Sequence, residues 1–188
     1  GNSRRMGQDK SLIDIQGRPM IERVCDQLRG HLDDILVSAN DPAKYAFLDL
    51  TVVPDRLAGM GPMMGLASSL EAASHDLVLV VACDLPDINL PLAHRMLALA
   101  RNYEVVVPRI RSTSADPSSP LLEPLFAVYR RSIAPTLFDL LESGERRIRS
   151  VFNHVRTCYV DVDDTTAPIN LNTEEEYRSY VQHSHTPV

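Results

Sequence analysis

Tryptophan is absent from this sequence, and phenylalanine and tyrosine together make up only 5% of it. Stacking platforms for single-stranded nucleic acid are therefore scarce. A surplus of basic charge is lacking too. Nineteen Lys and Arg stand against 25 Asp and Glu, a net charge of −6, which is the opposite of what a nucleic-acid-binding face requires. No apolar run approaches the roughly 20 residues that span a bilayer, and no signal peptide is visible. Cysteine occurs three times, at Cys25, Cys83 and Cys158. The number is odd and no CxxC pair exists, which excludes a zinc ribbon and a thioredoxin motif. Three small buried thiols in a reducing compartment fit best, so the cytoplasm is the expected location. None of the six histidines pairs at metal-ligand spacing, and no Ser-His-Asp set assembles.

What is present is a globular chain of 188 residues, 44% hydrophobic, enough to bury a core. The length predicts a single domain over 1–182 with a frayed tail at 183–188. Apolar spacing predicts helices over Pro19–Arg29, Pro62–Ala73, Leu90–Ala100 and Ile133–Leu141, the last ended by Gly144. A further short helix is expected over Arg147–His154. Thr173-Glu-Glu-Glu176 has the capping-box pattern of a last helix reaching about Gln182. Short apolar runs predict strands at Ile35–Ala39, Thr51–Val53, Leu77–Cys83, Glu104–Val107, Leu125–Tyr129 and Cys158–Val162. The continuous run Leu77–Cys83 reads as buried on both faces. Arg109–Pro120, rich in Arg, Ser, Pro and Asp, reads as a loop. The alternation implies an α/β fold: three layers, α/β/α, around a mostly parallel central sheet. Ligands in such folds bind outside the carboxyl ends of strands, so residues just after strands matter most.

Four stretches carry candidate chemistry. In Gly1-Asn2-Ser3-Arg4-Arg5-Met6-Gly7-Gln8-Asp9-Lys10, two glycines permit close backbone approach to an anion, and Arg4, Arg5 and Lys10 add positive charge. A triphosphate is the natural guest, and a solvated basic tail is the alternative. The stretch is neither a Walker loop, since Asp9 stands where Gly precedes Lys, nor a G-x-G-x-x-G dinucleotide fingerprint. Asp84, after the strongest strand, is placed to hold Mg²⁺ over a nucleotide phosphate, or else to cap a turn before Pro86. Asp55 follows a strand, and Gly59, Gly61 and Gly65 lead into a helix N-terminus, a second feature suited to anions or an ordinary strand-to-helix connection. Asn170 and Asn172 precede the last helix and could bind ligand or cap it.

In this order the segments resemble nucleotidyltransferases that act on sugars and cofactors. Gly1 to Lys10 is similar to their signature loop. The Asp9-Lys10 ending, Ser11-Leu12-Ile13 and Gly17-Arg18-Pro19-Met20 are most like the molybdenum cofactor guanylyltransferase family. Pro54-Asp55 with Gly59 to Gly65, Cys83-Asp84-Leu85-Pro86, Glu123-Pro124-Leu125 through Tyr129, Gly144-Glu-Arg-Arg147 and Asn170-Leu171-Asn172-Thr173 agree with it. Sugar-1-phosphate relatives usually have Pro where Asp9 stands. The family loop opens with a strand and Leu-Ala-Gly-Gly whose backbone meets base and sugar. Gly1 matches the last of those glycines, and the preceding residues are expected upstream of this sequence.

The resemblance implies a Rossmann-like nucleotidyltransferase fold that joins GMP from GTP to the terminal phosphate of molybdenum-molybdopterin, with Mg²⁺ as cofactor. It implies that Arg5, Lys10 and Asp84 are catalytic. Lys10 and Arg5 would neutralise phosphate charge, Gly1 and Gly7 would let the loop close on the nucleotide, and Asp84 would hold Mg²⁺ on the α-phosphate. Asn40 and Asp55 would hold the nucleoside. Gly59, Gly61 and Gly65, with Asn170 and Asn172, would shape the pterin side. Transfer of an unstable cofactor suggests contact with other cofactor-biosynthesis proteins and acceptor molybdoenzymes. Two rivals are a CTP-dependent cytidylyltransferase acting on the same pterin and a catalytically silent nucleotide-binding module.

Overall fold

The computed structural model describes residues 9–111, 121–163, 165–171 and 173–183. In chain order the elements are β1 (Asp14–Ile15), β2 (Arg18–Pro19), α1 (Met20–Leu28), β3 (Leu36–Ser38), β4 (Thr51–Val53), α2 (Pro62–Ala72), β5 (Leu77–Val81), α3 (Leu90–Leu99), β6 (Val105–Ile110), β7 (Leu121–Leu122), β8 (Phe126–Arg130), α4 (Ala134–Glu142), β9 (Thr157–Val162) and α5 (Glu174–His183). Short 3-10 helices cover Lys10–Leu12, Pro42–Leu48, Arg131–Ile133 and Ile148–Asn153. The chain forms two compact units. One comprises the segment up to Asp33, Ala82–Ile88 and the segment from Pro168; the other comprises Asp34–Val81 and Asn89–Ala167.

In the first unit, β1 and β2 form an antiparallel hairpin that leads directly into α1. The hairpin was not expected from the sequence, because its strands are only two residues each. Met20, Ile21, Val24, Cys25 and Leu28 of α1 are buried, as their helical spacing predicts. Pro19 caps the helix rather than opening it. Gln27 on α1 fixes the segment after Asp84: its amide donates to the Pro86 carbonyl at 2.8 Å, and its carbonyl accepts from the Ile88 N–H at 2.9 Å. The α5 capping box forms as predicted. The Glu176 N–H donates to Thr173 Oγ1 at 3.1 Å, and the Thr173 N–H donates to Glu176 Oε2 at 2.8 Å.

The second unit is built on a five-stranded sheet. Strand β8 lies between β5 and β6 and is antiparallel to both, β7 pairs antiparallel with the end of β6, and β9 pairs parallel with β6. The α/β class stands, with a mixed sheet where alternation alone pointed to mostly parallel pairing. The physical reason is local: β6, β7 and β8 follow one another with no helix among the described residues between them, and neighbours joined without a crossover run antiparallel. A separate parallel pair, β3–β4, matches Leu36 with Thr51 and Ser38 with Val53.

Side chains alternate across the sheet. Val105, Val107, Ala127 and Tyr129 form one core with Met63, Met64, Leu66 and Leu70 of α2 and Leu137 and Leu141 of α4. Val106, Phe126 and Val128 are equally buried but belong to none of that cluster. Helix α3 touches β5, β6 and β8, and its buried Leu92, Ala93 and Met96 supply the other layer. Helices thus cover both faces, the three-layer arrangement read from the sequence.

Two strand boundaries differ from expectation. Strand β5 stops at Val81 and is half-buried throughout, not buried on both faces, because among the described residues it pairs only with β8. Strand β6 runs on through Arg109 and Ile110, residues the sequence assigned to a loop. Composition pointed to a loop there, whereas the ladder tolerates even Pro108, which cannot donate to it. Pro108 sits where β6 passes from β8 (Val106 opposite Val128) to β7 (Arg109 opposite Leu122). There its carbonyl accepts from the Glu123 N–H at 3.3 Å.

Tyr129 is fully buried and its hydroxyl donates to the Pro124 carbonyl at 2.7 Å. Burial pushes its phenol well above the usual range, so it stays a donor at every ordinary pH. Tyr129→Phe is expected to cost about 1–2 kcal/mol, the loss of one buried hydrogen bond, read as a lower urea midpoint at unchanged slope. Among the described residues, no helix is long and apolar enough to cross a membrane.

Candidate active site

In the first unit, the fold brings Lys10 and Asp84 together across 74 positions of chain. Asp9 caps the 3-10 turn that carries Lys10, its Oδ1 accepting from the Ser11 N–H at 3.0 Å and the Ser11 hydroxyl at 2.7 Å. The Lys10 ammonium stands 3.8 Å from Asp84 Oδ2 and donates to the Leu171 carbonyl at 3.3 Å. Asp84 lies three residues beyond β5, in a turn, and its own carbonyl accepts from the Leu171 N–H at 2.9 Å. Leu171 therefore clasps both: its carbonyl takes Lys10 and its amide takes Asp84. Asn170 is the residue before it. Gly1, Arg5, Gly7 and Asn172 lie outside the described residues.

Two groups near Asp84 are harder to ionise than usual. The Cys83 thiol is pushed up to about 11, first by burial and then by the Asp84 charge. The Tyr177 phenol is raised for the same two reasons, in the same order. Tyr177 is 5% exposed, and its hydroxyl has no hydrogen-bond partner among the described residues. All three cysteines are free.

In the second unit, the fold joins Asn40 to Asp55, which follow the paired strands β3 and β4. Asn40 Nδ2 donates to Asp55 Oδ2 at 2.8 Å, and the Asp55 N–H returns a bond to Asn40 Oδ1 at 2.7 Å. Both strands end side by side, with the Ala39 N–H on the Val53 carbonyl at 3.0 Å, so the two residues after them meet. Gly65, which the resemblance assigned to the pterin side, lies against this pair. A Cβ added there would sit 2.8 Å from Ser38 Oγ and 3.2 Å from Asp55 Oδ1. Gly59 and Gly61 lie in the loop before α2. Gly61 caps that helix with φ 81°, a left-handed conformation that favours glycine.

Sequence reasoning missed Ser38, the capping role of Asp9 and the backbone of Leu171. Only Asp9 left a signal, an acid two residues before Ser at the start of a turn. A cleft of about 550 Å³ in the second unit, lined by Glu71, Asp76, Arg131 and Phe138, holds none of the predicted residues. Its acids are engaged, Glu71 with Arg56 and Asp76 with Arg130.

Each unit thus holds one polar arrangement of its own: the Lys10–Asp84 pair in the first and the Asn40–Asp55 couple in the second. The family model of the MobA-like NTP transferase domain matches residues 1–158. The chain belongs to the MobA-like NTP transferase family. A probable molybdenum cofactor guanylyltransferase of Pelotomaculum thermopropionicum is 34% identical over 183 residues, covering 94% of this chain and 85% of the relative. The molybdenum cofactor guanylyltransferase of Vibrio parahaemolyticus is 33% identical over 187 residues, covering 96% and 90%. Among solved structures, molybdopterin-guanine dinucleotide biosynthesis protein A from Archaeoglobus fulgidus superposes with a TM-score of 0.77 at 19% identity, over 98% of this chain and 94% of that one. The 4-diphosphocytidyl-2C-methyl-D-erythritol synthase of Anaerococcus prevotii gives 0.76 at 13% identity, over 94% and 93%. These structural likenesses show the fold shared by the MobA-like chain and enzymes of other names. As a member of this family the chain is a nucleotidyltransferase.

Proposed function

We propose that this MobA-like chain transfers GMP from GTP to the terminal phosphate of molybdenum-molybdopterin, giving the guanine dinucleotide cofactor and pyrophosphate. The observation that carries the reading is the Lys10–Asp84 pair, clasped at Leu171, in a chain whose relatives are named molybdenum cofactor guanylyltransferases. A phosphate oxygen of molybdopterin forms a bond to the α-phosphorus of GTP as the bond from that phosphorus to the bridging oxygen breaks. The nucleophile is already ionised at pH 7, so no general base is required. The work is in-line positioning and charge neutralisation.

Lys10, with Arg5, offsets phosphate charge. Asn40 and Asp55 hold the nucleoside, with Asp55 accepting from the two adjacent N–H groups of guanine. Gly59, Gly61 and the Asn170–Asn172 segment face the pterin substrate. Asp84 is the acid we assign to Mg²⁺. Among the described residues no group of three metal-ligating side chains exists, and a single hard carboxylate fits an ion that is usually shared between one or two carboxylates and substrate phosphates. When bound, Mg²⁺ would supply positive charge at the reacting phosphate. Free, separate cysteines support a cytoplasmic site of action.

Pyrophosphate release by the full-length protein, with Mg²⁺ and molybdopterin, compared for GTP, CTP and ATP, tests the proposal. GTP is expected to be preferred over CTP by roughly 10⁴ in kcat/KM, the scale reached when a mismatched base leaves buried polar groups unpaired. Release with CTP alone would reassign the chain to the cytidylyl reaction. Binding without release from any nucleotide would make it a silent module.

A further inference from the structure

Asp55 is tied to Asn40 on one side. On the other side the chain is held by the next residue, Arg56. The Arg56 N–H donates to Ser68 Oγ at 3.0 Å, and Ser68 on α2 is only 5% exposed, so this anchor is buried and rigid. The Arg56 side chain reaches across to other elements. Its guanidinium carbon lies 4.0 Å from the centroid of the Phe138 ring on α4, and Nη2 forms an ion pair with Glu71 on α2. The guanidinium is half exposed, where an ion pair alone contributes little. Stacking on an aromatic face adds directional attraction, and a planar guanidinium can stack and pair at once. Arg56 therefore has three attachments, Ser68, Glu71 and Phe138, and none of them is Asp55 or Asn40.

These attachments fix the backbone immediately after Asp55. Asp55 Oδ2 is taken by Asn40. Oδ1 lies close against Gly65, where a Cβ would crowd it at 3.2 Å. A carboxylate so placed is useful for recognition only if its backbone does not drift, because binding groups must be held within fractions of an ångström of their working geometry.

We propose that Arg56 is a positioning residue for nucleotide binding: anchored on Phe138, Glu71 and Ser68, it holds Asp55 against Asn40 and Gly65. The proposal rests on the reading of Asp55 as a nucleoside contact.

A double-mutant cycle tests it, using the dissociation constant of a fluorescent GTP analogue and amide hydrogen exchange of residues 55–58. Arg56→Ala is expected to weaken nucleotide binding about tenfold and to speed exchange at the Arg56 amide. Arg56→Lys, which keeps the charge on Glu71 but loses the planar stack, is expected to fall between the two. In an Asp55→Ala background, Arg56→Ala is expected to cause no further loss of affinity, because the group it positions is gone. Equal weakening by Arg56→Ala in both backgrounds would show a general structural role and overturn the proposal. So would a loss of affinity on Asp55→Ala that Arg56→Ala does not share. If Asp55→Ala itself leaves affinity unchanged, the nucleoside reading of Asp55 fails and the positioning role falls with it. Should Arg56→Ala fold poorly, Arg56→Lys and Ser68→Ala carry the same cycle.

Discussion

Replacing Lys10 by alanine is expected to slow turnover about 100-fold or more, the usual loss when a charge partner of the transition state is removed. That is about 2.7 kcal/mol of barrier. The expectation follows from where the ammonium sits. It is 18% exposed, 3.8 Å from Asp84 and bonded to the Leu171 carbonyl, so its charge is held in place before any substrate arrives. The Asp9 cap holds the turn from below. The measurement is pyrophosphate release from GTP at saturating Mg²⁺ and molybdopterin, beside a thermal midpoint for each variant. Lys10→Arg should recover part of the rate, since it restores charge but not the compact ammonium. A near-normal rate for Lys10→Ala would remove Lys10 from the mechanism.

The second large effect belongs to Asp84. Asp84→Ala is expected to abolish Mg²⁺-dependent turnover, a loss of roughly 10³-fold or more, and Asp84→Asn to come close to it, because an amide is a poor ligand for a hard cation. Neither change touches the backbone bond from the Leu171 N–H to the Asp84 carbonyl, so the turn should keep its shape. The two residues are separable by titration. Lys10→Ala should leave the Mg²⁺ concentration for half-maximal rate nearly unchanged, whereas Asp84→Asn should raise it steeply. An unaltered Mg²⁺ dependence in the Asp84 variants would place the metal elsewhere.

Much of this was legible in the residues alone, for reasons that can be named. Met20, Ile21, Val24 and Leu28 announce α1 by spacing, and Thr173 with Glu176 announces the start of α5 by its reciprocal cap. These are local signals, complete within a turn or two of helix. Asp84 and Asp55 were legible as candidates because position after a strand is itself a functional cue in α/β folds, and Asn40 came from the family resemblance. What was hidden is non-local. Nothing in Leu171 advertises that its peptide group serves Lys10 and Asp84 together. Nothing in Ser68 advertises an acceptor for a residue twelve positions earlier. Gly65 was singled out as a glycine, but its neighbours were not: only the packed α2 shows that it lies against Ser38 and Asp55, where a Cβ would not fit. The antiparallel insertion of β8 was hidden for a similar reason, since pairing order is settled by which apolar faces meet and not by any one strand.

The parallel pairing of β6 with β9 also sets a clock. Val105 must find Thr157 and Ile110 must find Val162, and a ribosome adding 5–20 residues per second needs about 2–10 s to make the intervening chain. For that interval β6 leaves the exit tunnel with one flank of its backbone unclaimed, a state in which nascent strands can join one another. The charges of Arg109 and Arg111, which later settle on Asp161 at 2.6 Å each, stand along that flank. They act as gatekeepers while the protein is being born and become ordinary members of a ladder once β9 arrives.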